Sequence, residues 1–149
     1  MTHPQPRTPQ QRKQDTLDRL HQDVDAWVAT SDGDGPYLVP LSFLWDGETL
    51  LMATPAASPT GRNAAATGRV RVGIGQTRDV VLVDGTVEVL AEVPDGTGDA
   101  FAARTGFDPR RLAEPYPWFR VRPQRIQAWR EVDELAGRDL MRDGRWLVP

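Results

Sequence analysis

The stretch from Tyr37 to Gln76 constrains the fold more than any other part of the chain, because it reads as β-strand, tight turn, β-strand, small polar loop, short helix and β-strand. Tyr37 to Trp45 is strand-like, and Asp46-Gly47 is a strong hairpin signal before a second strand over Glu48 to Thr54. With Trp27 to Thr30 before them and Ser31 to Pro36 as the intervening turn, these strands are expected to form an antiparallel meander. The loop Thr54-Pro55-Ala56-Ala57-Ser58-Pro59-Thr60-Gly61-Arg62-Asn63 then gathers hydroxyls, small residues, one cation and a carboxamide at a helix start. Backbone N–H groups at such a position lack intrahelical acceptors and the helix dipole favours negative charge, so the mixture suits an anion such as a phosphate.

The rest of the chain extends the β pattern. Arg69 to Gly75 alternates, with Val70, Val72 and Ile74 on one face and Arg69, Arg71, Gly73 and Gly75 on the other. Two glycines on one strand face mark a close approach by a ligand, a neighbouring subunit or another strand. Asp79 to Glu92 is a long β-rich run in which Asp84-Gly85 is better read as a bulge in one bent strand than as a hairpin. Trp118 to Arg130 alternates as well, Phe119 and Val121 inward and Arg120 and Arg122 outward, and Pro123 places it at an edge or a bend. Arg142 to Arg145 reads as the turn of a terminal hairpin. Helices are expected over Gln11 to Val24, with the stripe Leu17, Leu20 and Val24, and over Asp99 to Thr105, capped by Asp95 or Thr97. Some six strands with short turns and helices at the corners describe a small antiparallel β-barrel. Residues 1–10 read as a disordered tail before a single domain over residues 11–149.

Composition removes several chemistries. The 149-residue chain has no cysteine, so disulfides, thiolate catalysis and thiolate metal sites are excluded. Its only histidines, His3 and His21, lie near the N-terminus, which argues against a histidine metal site or a Ser-His-Asp triad. A net charge of −3 implies no general nucleic-acid-binding surface, and there is no apolar run of membrane-spanning length and no signal-peptide core. The expectation is a soluble, cytoplasmic protein with no membrane or nucleic-acid partner.

Three pieces, in order, resemble the pyridoxamine 5′-phosphate oxidase-related split barrels: Pro36 to Trp45 with Asp46-Gly47, the Thr54, Ser58, Arg62-Asn63 loop, and Trp118 to Trp129. The resemblance implies a mainly β, six-stranded antiparallel split barrel that forms a homodimer with FMN or coenzyme F420 at the subunit interface. It implies that Val39, Pro40, Leu41 and Ser42 line the cofactor ring. Thr54, Ser58, Thr60, Arg62 and Asn63 would hold the cofactor phosphate, and Trp129 of the other subunit would approach the cofactor. The activity implied is hydride transfer between the bound cofactor and a small organic substrate, with no catalytic acid or base assigned. A non-catalytic carrier of flavin or haem and a cofactorless dimer are the alternative uses of the fold. The chain departs from the oxidase where that enzyme has Arg-Lys after the loop serine, since Pro59 and Thr60 stand there. It also lacks the oxidase's Arg-Leu-His-Asp-Arg motif near Gly137 to Met141, so vitamin B6 oxidation is not expected. Taken without the resemblance, Trp118 and Trp129 read as core or interface aromatics, and Trp27 and Trp45 as packing residues.

Overall fold

Helix α1 (Pro9–Gln22) opens the chain in the computed structural model, which describes residues 5–149. Thr8 caps it by accepting the Gln11 amide at 3.1 Å, and Pro9 follows in the first turn, where its missing N–H costs nothing. The helix therefore starts inside the stretch that composition assigns to a tail, and its buried stripe is Arg12, Thr16 and Leu20. Residues 1–4, with His3, lie outside the described residues.

The strands follow as β1 (Asp25–Asp32), β2 (Gly35–Ser42), β3 (Leu44–Trp45) and β4 (Leu50–Ala53); after helix α2 (Pro59–Thr67) come β5 (Arg69–Gln76) and β6 (Asp79–Leu90). Helix α3 (Asp95–Thr105) precedes β7 (Trp118–Trp129), β8 (Asp139–Arg142) and β9 (Arg145–Trp146). They form one antiparallel sheet in the order β2-β1-β5-β6-β7-β4-β3, with β8 and β9 added beyond β7. β2 and β3 stand at opposite ends of this path, yet only Phe43 separates them in the chain. The wall therefore curls until its two margins meet at Phe43, which is fully buried and donates its amide to Val24 O at 2.8 Å. The result is a mainly β split barrel whose wall has six strands, β3 being the short continuation of β2.

Period-two alternation builds the interior. β1 and β5 bury every second residue, and Val28, Val72, Ile74, Val83, Val121 and Ile126 meet inside the barrel. β4 is buried on both faces: Leu50 and Met52 point into the barrel, whereas Leu51 and Ala53 pack under α3 with Phe101 and Trp118. The Phe101 and Trp118 rings meet edge-on at 5.1 Å and 89°.

Several sequence expectations change in three dimensions. The expected meander ends at Phe43: β4 keeps a two-pair hairpin with β3 but otherwise pairs with β7, not with β2. α3 begins at Asp95, four residues before the expected start, with Pro94 at its cap position and no side-chain cap. The expected irregularity is present as a register shift at Asp84-Gly85, but the extra residue is Gln124 on β7, and β6 runs unbroken against β5. Pro123 sits at a bend, as expected: it lies opposite Gly85 at the register shift, where β7 has left its ladder with β4 and not yet joined β8, so its absent N–H is not missed. Gly75 does admit a close approach, but by this chain's own α1: a Cβ there would fall 1.7 Å from Arg19 Nη1. Arg19 uses that space to donate to Asp79 O at 2.6 Å and to the Asp79 carboxylate at 2.9 Å. Gly73 has only ordinary contact, with Leu82 Cδ2 at 3.5 Å.

Charges fix α1 across the barrel end. Arg7 donates to both carboxylate oxygens of Glu134, at 2.9 and 2.7 Å, and the Glu134 side chain is 3 % exposed. Arg12 Nη1 donates to the carbonyls of Ala128, Glu134 and Gly137 at 3.0–3.2 Å. Arg7, helped by the amides of Arg7 and Arg130, holds the Glu134 carboxyl at about 2, below its ordinary 4.5. A depressed carboxyl stabilises the fold above its unfolded pKa, and that contribution fades as pH falls through the folded value. Arg7→Ala is therefore expected to cost about 3 kcal/mol at pH 7 by leaving a buried carboxylate unpaired. The gap from wild type in denaturant titrations should narrow between pH 4.5 and about 2; a gap that does not change with pH would contradict this role of the pair.

Candidate functional site

The anion-type loop leaves β4 at one corner of the barrel. Ala53 is the last residue of β4, and Thr54 begins a turn whose amides fold back, Ser58 N donating to Pro55 O at 3.1 Å. Ser58 is the N-cap of α2: its hydroxyl accepts the Gly61 amide at 3.0 Å and donates to Pro55 O at 2.8 Å. Thr54 Oγ1 lies 3.3 Å from Ser58 Oγ, so the two hydroxyls expected to face a phosphate are neighbours. Gly61 closes the turn, since a Cβ there would sit 2.4 Å from Pro55 O. A further tie comes from outside the loop, where Ala56 donates its amide to Pro115 O at 3.2 Å. The amides of Ala57 and Thr60 take no protein acceptor among the described residues, which leaves them as donors for an anion.

The side chains divide by helix phase. Thr60, Gly61, Asn63 and Ala64 share the buried face of α2, and Arg62 points outward. Asn63 donates from Nδ2 to Thr30 Oγ1 at 3.2 Å, with both residues buried, so its amide ties α2 to β1. Arg62 is exposed and its guanidinium is folded onto Ala57 O, at the loop rim. Thr54, Ser58, Thr60 and Arg62 are thus gathered around one turn, and Asn63 lies behind it.

Val39, Pro40, Leu41 and Ser42 occupy β2, which packs against α2 and β4 and so lies at the same corner. Pro40 is opposite Trp27, and Ser42 Oγ donates to Asp25 Oδ1 at 2.7 Å. Trp129 lies elsewhere. Its strand begins at Trp118, paired with Ala53 beside the loop, and ends at Trp129, paired with Val80. At about 3.3 Å per residue roughly 36 Å of strand lies between those ends. Within one chain, Trp129 and the loop do not meet. The Trp129 ring instead carries the Arg138 guanidinium at 5.7 Å.

Sequence reasoning assigned Trp27 to packing, but it is 54 % exposed. The signal was present in β1, where Ala26 and Val28 take the inward positions and leave Trp27 on the outer face. Across the sheet, Pro40, Trp27, Gly73, Leu82 and Gln127 form one outward row, and Leu38, 59 % exposed, stands beside it. Segment Gly137 to Met141 is occupied structurally. Asp139 is held to about 2 by Arg142, Gln127 and Arg125, against burial that acts the other way. Among the described residues no cluster of three or more histidine, aspartate or glutamate side chains could hold a metal ion.

A family profile described as pyridoxamine 5′-phosphate oxidase matches residues 14–130. Among solved structures, an FAD-binding protein from Mesorhizobium loti is 21 % identical and superposes with a TM-score of 0.64, covering 76 % of this chain and 89 % of its own. An F420 reductase is 25 % identical at a TM-score of 0.57, covering 73 % of this chain and 93 % of its own. General Stress Protein 26 from Bacillus anthracis is 17 % identical at a TM-score of 0.62, covering 78 % and 92 %. No curated protein matches the sequence.

The loop geometry makes Gly61 a sharp test. Replacing a helical glycine by alanine ordinarily stabilises by up to about 1 kcal/mol. Here the new methyl would meet a backbone carbonyl, so Gly61→Ala is expected to destabilise by about 1–3 kcal/mol in thermal or chemical unfolding. A stabilised variant would mean that the turn is looser than described.

Proposed function

The chain belongs to the pyridoxamine 5′-phosphate oxidase family, and from that premise we propose that it is a flavin- or deazaflavin-dependent oxidoreductase that binds FMN or coenzyme F420 and acts on a small organic substrate. The observation that carries the reading is the loop from Thr54 to Arg62, where hydroxyls, free amides and one cation converge beside the β2 segment Val39 to Ser42. A phosphate fits this donor set. The Ala57 and Thr60 amides and the Thr54 and Thr60 hydroxyls supply neutral donors, and Arg62 supplies charge once it leaves Ala57 O. When bound, such a cofactor supplies the hydride acceptor or donor; the protein orients it and excludes water.

The placement of Trp129 supports a homodimer. One copy offers the loop and β2, and a second copy is needed to bring Trp129 near them. The outward row of Pro40, Trp27 and Leu82, with Leu38 beside it, is an apolar face on the strands next to that corner. Gly73 lies within the row between Trp27 and Leu82, leaving it flat. We assign this face to the second copy of the chain. The substrate then lies on the open side of the cofactor ring, between the copies.

A second reading has its own observation. With Pro59 and Thr60 after the cap serine, the loop has a single cation at its rim, so a non-catalytic carrier of the same cofactor would also fit. Turnover with added reductant and acceptor separates the two.

Visible-absorption titrations with FMN and with coenzyme F420 test the binding. One of them should bind saturably, and Arg62→Ala should weaken that binding by about 1.5–3 kcal/mol, the worth of a hydrogen bond to a charged group. Unchanged affinity would remove Arg62 from the site, and no binding of either cofactor would overturn the reading. Trp27→Asp should convert the dimer to monomer in sedimentation, since a central interface tryptophan is commonly worth about 2 kcal/mol or more; a dimer that survives would place the interface elsewhere.

A further inference from the structure

The outer face of the sheet carries a second polar site away from the loop. In the β5–β6–β7 ladders Arg69 pairs with Thr86 and Thr86 pairs with Arg122, so two arginines flank one threonine hydroxyl on the same outward face. Their Cα atoms are two strand spacings apart, roughly 9–10 Å. Long arginine stems can bring both guanidinium groups over Thr86 from that distance.

Within these ladders charge pairing sets the two arginines apart from their neighbours. In the neighbouring rows Arg71 is engaged by Asp84 and Arg120 by Glu88. Arg125 is likewise engaged by Asp139. Arg69 and Arg122 form no ion pair among the described residues, so a bound anion would give both a charged partner. The carboxylates nearest the row, Asp84 and Glu88, are already taken by Arg71 and Arg120, and Asp143 lies on the groove's lining.

Thr86 also joins two depressions. On one side is a groove of about 820 Å³ lined by Arg69, Thr86, Ser31, Thr67 and Gln124 among others; on the other is a smaller one of about 320 Å³ that includes Arg122. No residue of the Thr54–Asn63 loop lines either. The larger groove has the volume of a small-molecule site; its wall mixes apolar, hydroxyl and amide groups with Arg71 and the carboxylates of Asp84, which pairs with Arg71, and Asp143.

We propose that Arg69, Thr86 and Arg122 clamp the phosphate of a small phosphorylated organic molecule whose body lies in the adjoining groove. Arginine suits this task, because its planar fork donates two parallel hydrogen bonds to phosphate oxygens. The site is separate from the cofactor loop and does not depend on the cofactor reading.

The test is an NMR titration of the full chain, following the arginine Nε–Hε resonances, with inorganic phosphate and with phenyl phosphate as probes. Saturable shifts are expected at Arg69 and Arg122 with both probes, and tighter binding of phenyl phosphate because its ring enters the groove. The Arg69→Gln, Arg122→Gln double variant should weaken phenyl phosphate by at least about tenfold. Thr86→Val, which keeps both charges, should weaken it less. Arg62→Ala should leave these shifts intact, and the double variant should leave FMN and coenzyme F420 titrations unchanged. Shifts confined to Arg62, or affinity unchanged in the double variant, would overturn the clamp. Equal affinity for the two probes would overturn the assignment of the groove to the ligand's body.

Discussion

The fold depends on one register shift. Between Asp84 and Gly85 on β6, and Pro123 and Arg125 on β7, β7 carries an extra residue, Gln124. A bulge of this kind bends and further twists both strands. Gly85 makes it possible, because any Cβ there would lie 2.4 Å from Val121 Cγ1 and 3.0 Å from Arg122 O. The bend lets β7 change partners, from β4 over Trp118 to Val121 to β8 from Ile126 onward. It also curls the wall so that β2 and β4 close on each other around Phe43. The loop after β4 and the Val39 to Ser42 segment of β2 share a corner for that reason. A flat sheet in the same strand order would hold them at opposite edges.

The far end of the barrel is closed by charge where apolar packing might be expected. Arg12 is 4 % exposed and finds three carbonyls, but its Nε has no partner, and Arg7 and Glu134 are spent on each other. Apolar residues of equal volume often stabilise as well as such a pair does. What the charges add is geometry: a guanidinium that must satisfy Ala128, Glu134 and Gly137 together fixes the end of β7 and the turn after it. Trp129 ends that strand and Arg138 lies in the segment after it, so the plug orders the region assigned to the second copy's cofactor contact.

Local rules made much of this legible. Alternation over Arg69 to Gln76, the Asp46-Gly47 hairpin, the Asp84-Gly85 bulge and the Arg142 to Arg145 turn all follow from two-residue periodicity and turn chemistry, which need no distant partner. The failures share a cause. Gly75 is bare because of Arg19, far away in sequence. Asn63 is buried because of Thr30 on another strand. Neither partner can be read from the local pattern. One error was avoidable: Trp27 reads as a packing residue, but its neighbours Ala26 and Val28 already claim the inner face.

The proposed cofactor site is balanced unusually. A loop with one rim arginine gives a phosphate few charge-assisted bonds, and neutral amides contribute less each. In the dimer proposed here, affinity then rests on burying the ring between two copies, where apolar contact and exclusion of water do most of the work. Binding and assembly become linked, since a ligand that needs both copies stabilises the pair in proportion to its own affinity. The cations that the loop lacks stand instead on the outer sheet face, at Arg69 and Arg122, which form no ion pair among the described residues. On the two proposals together, recognition is divided between two surfaces: a corner where neutral donors hold one phosphate and the ring is buried, and an outer face where two arginines hold another.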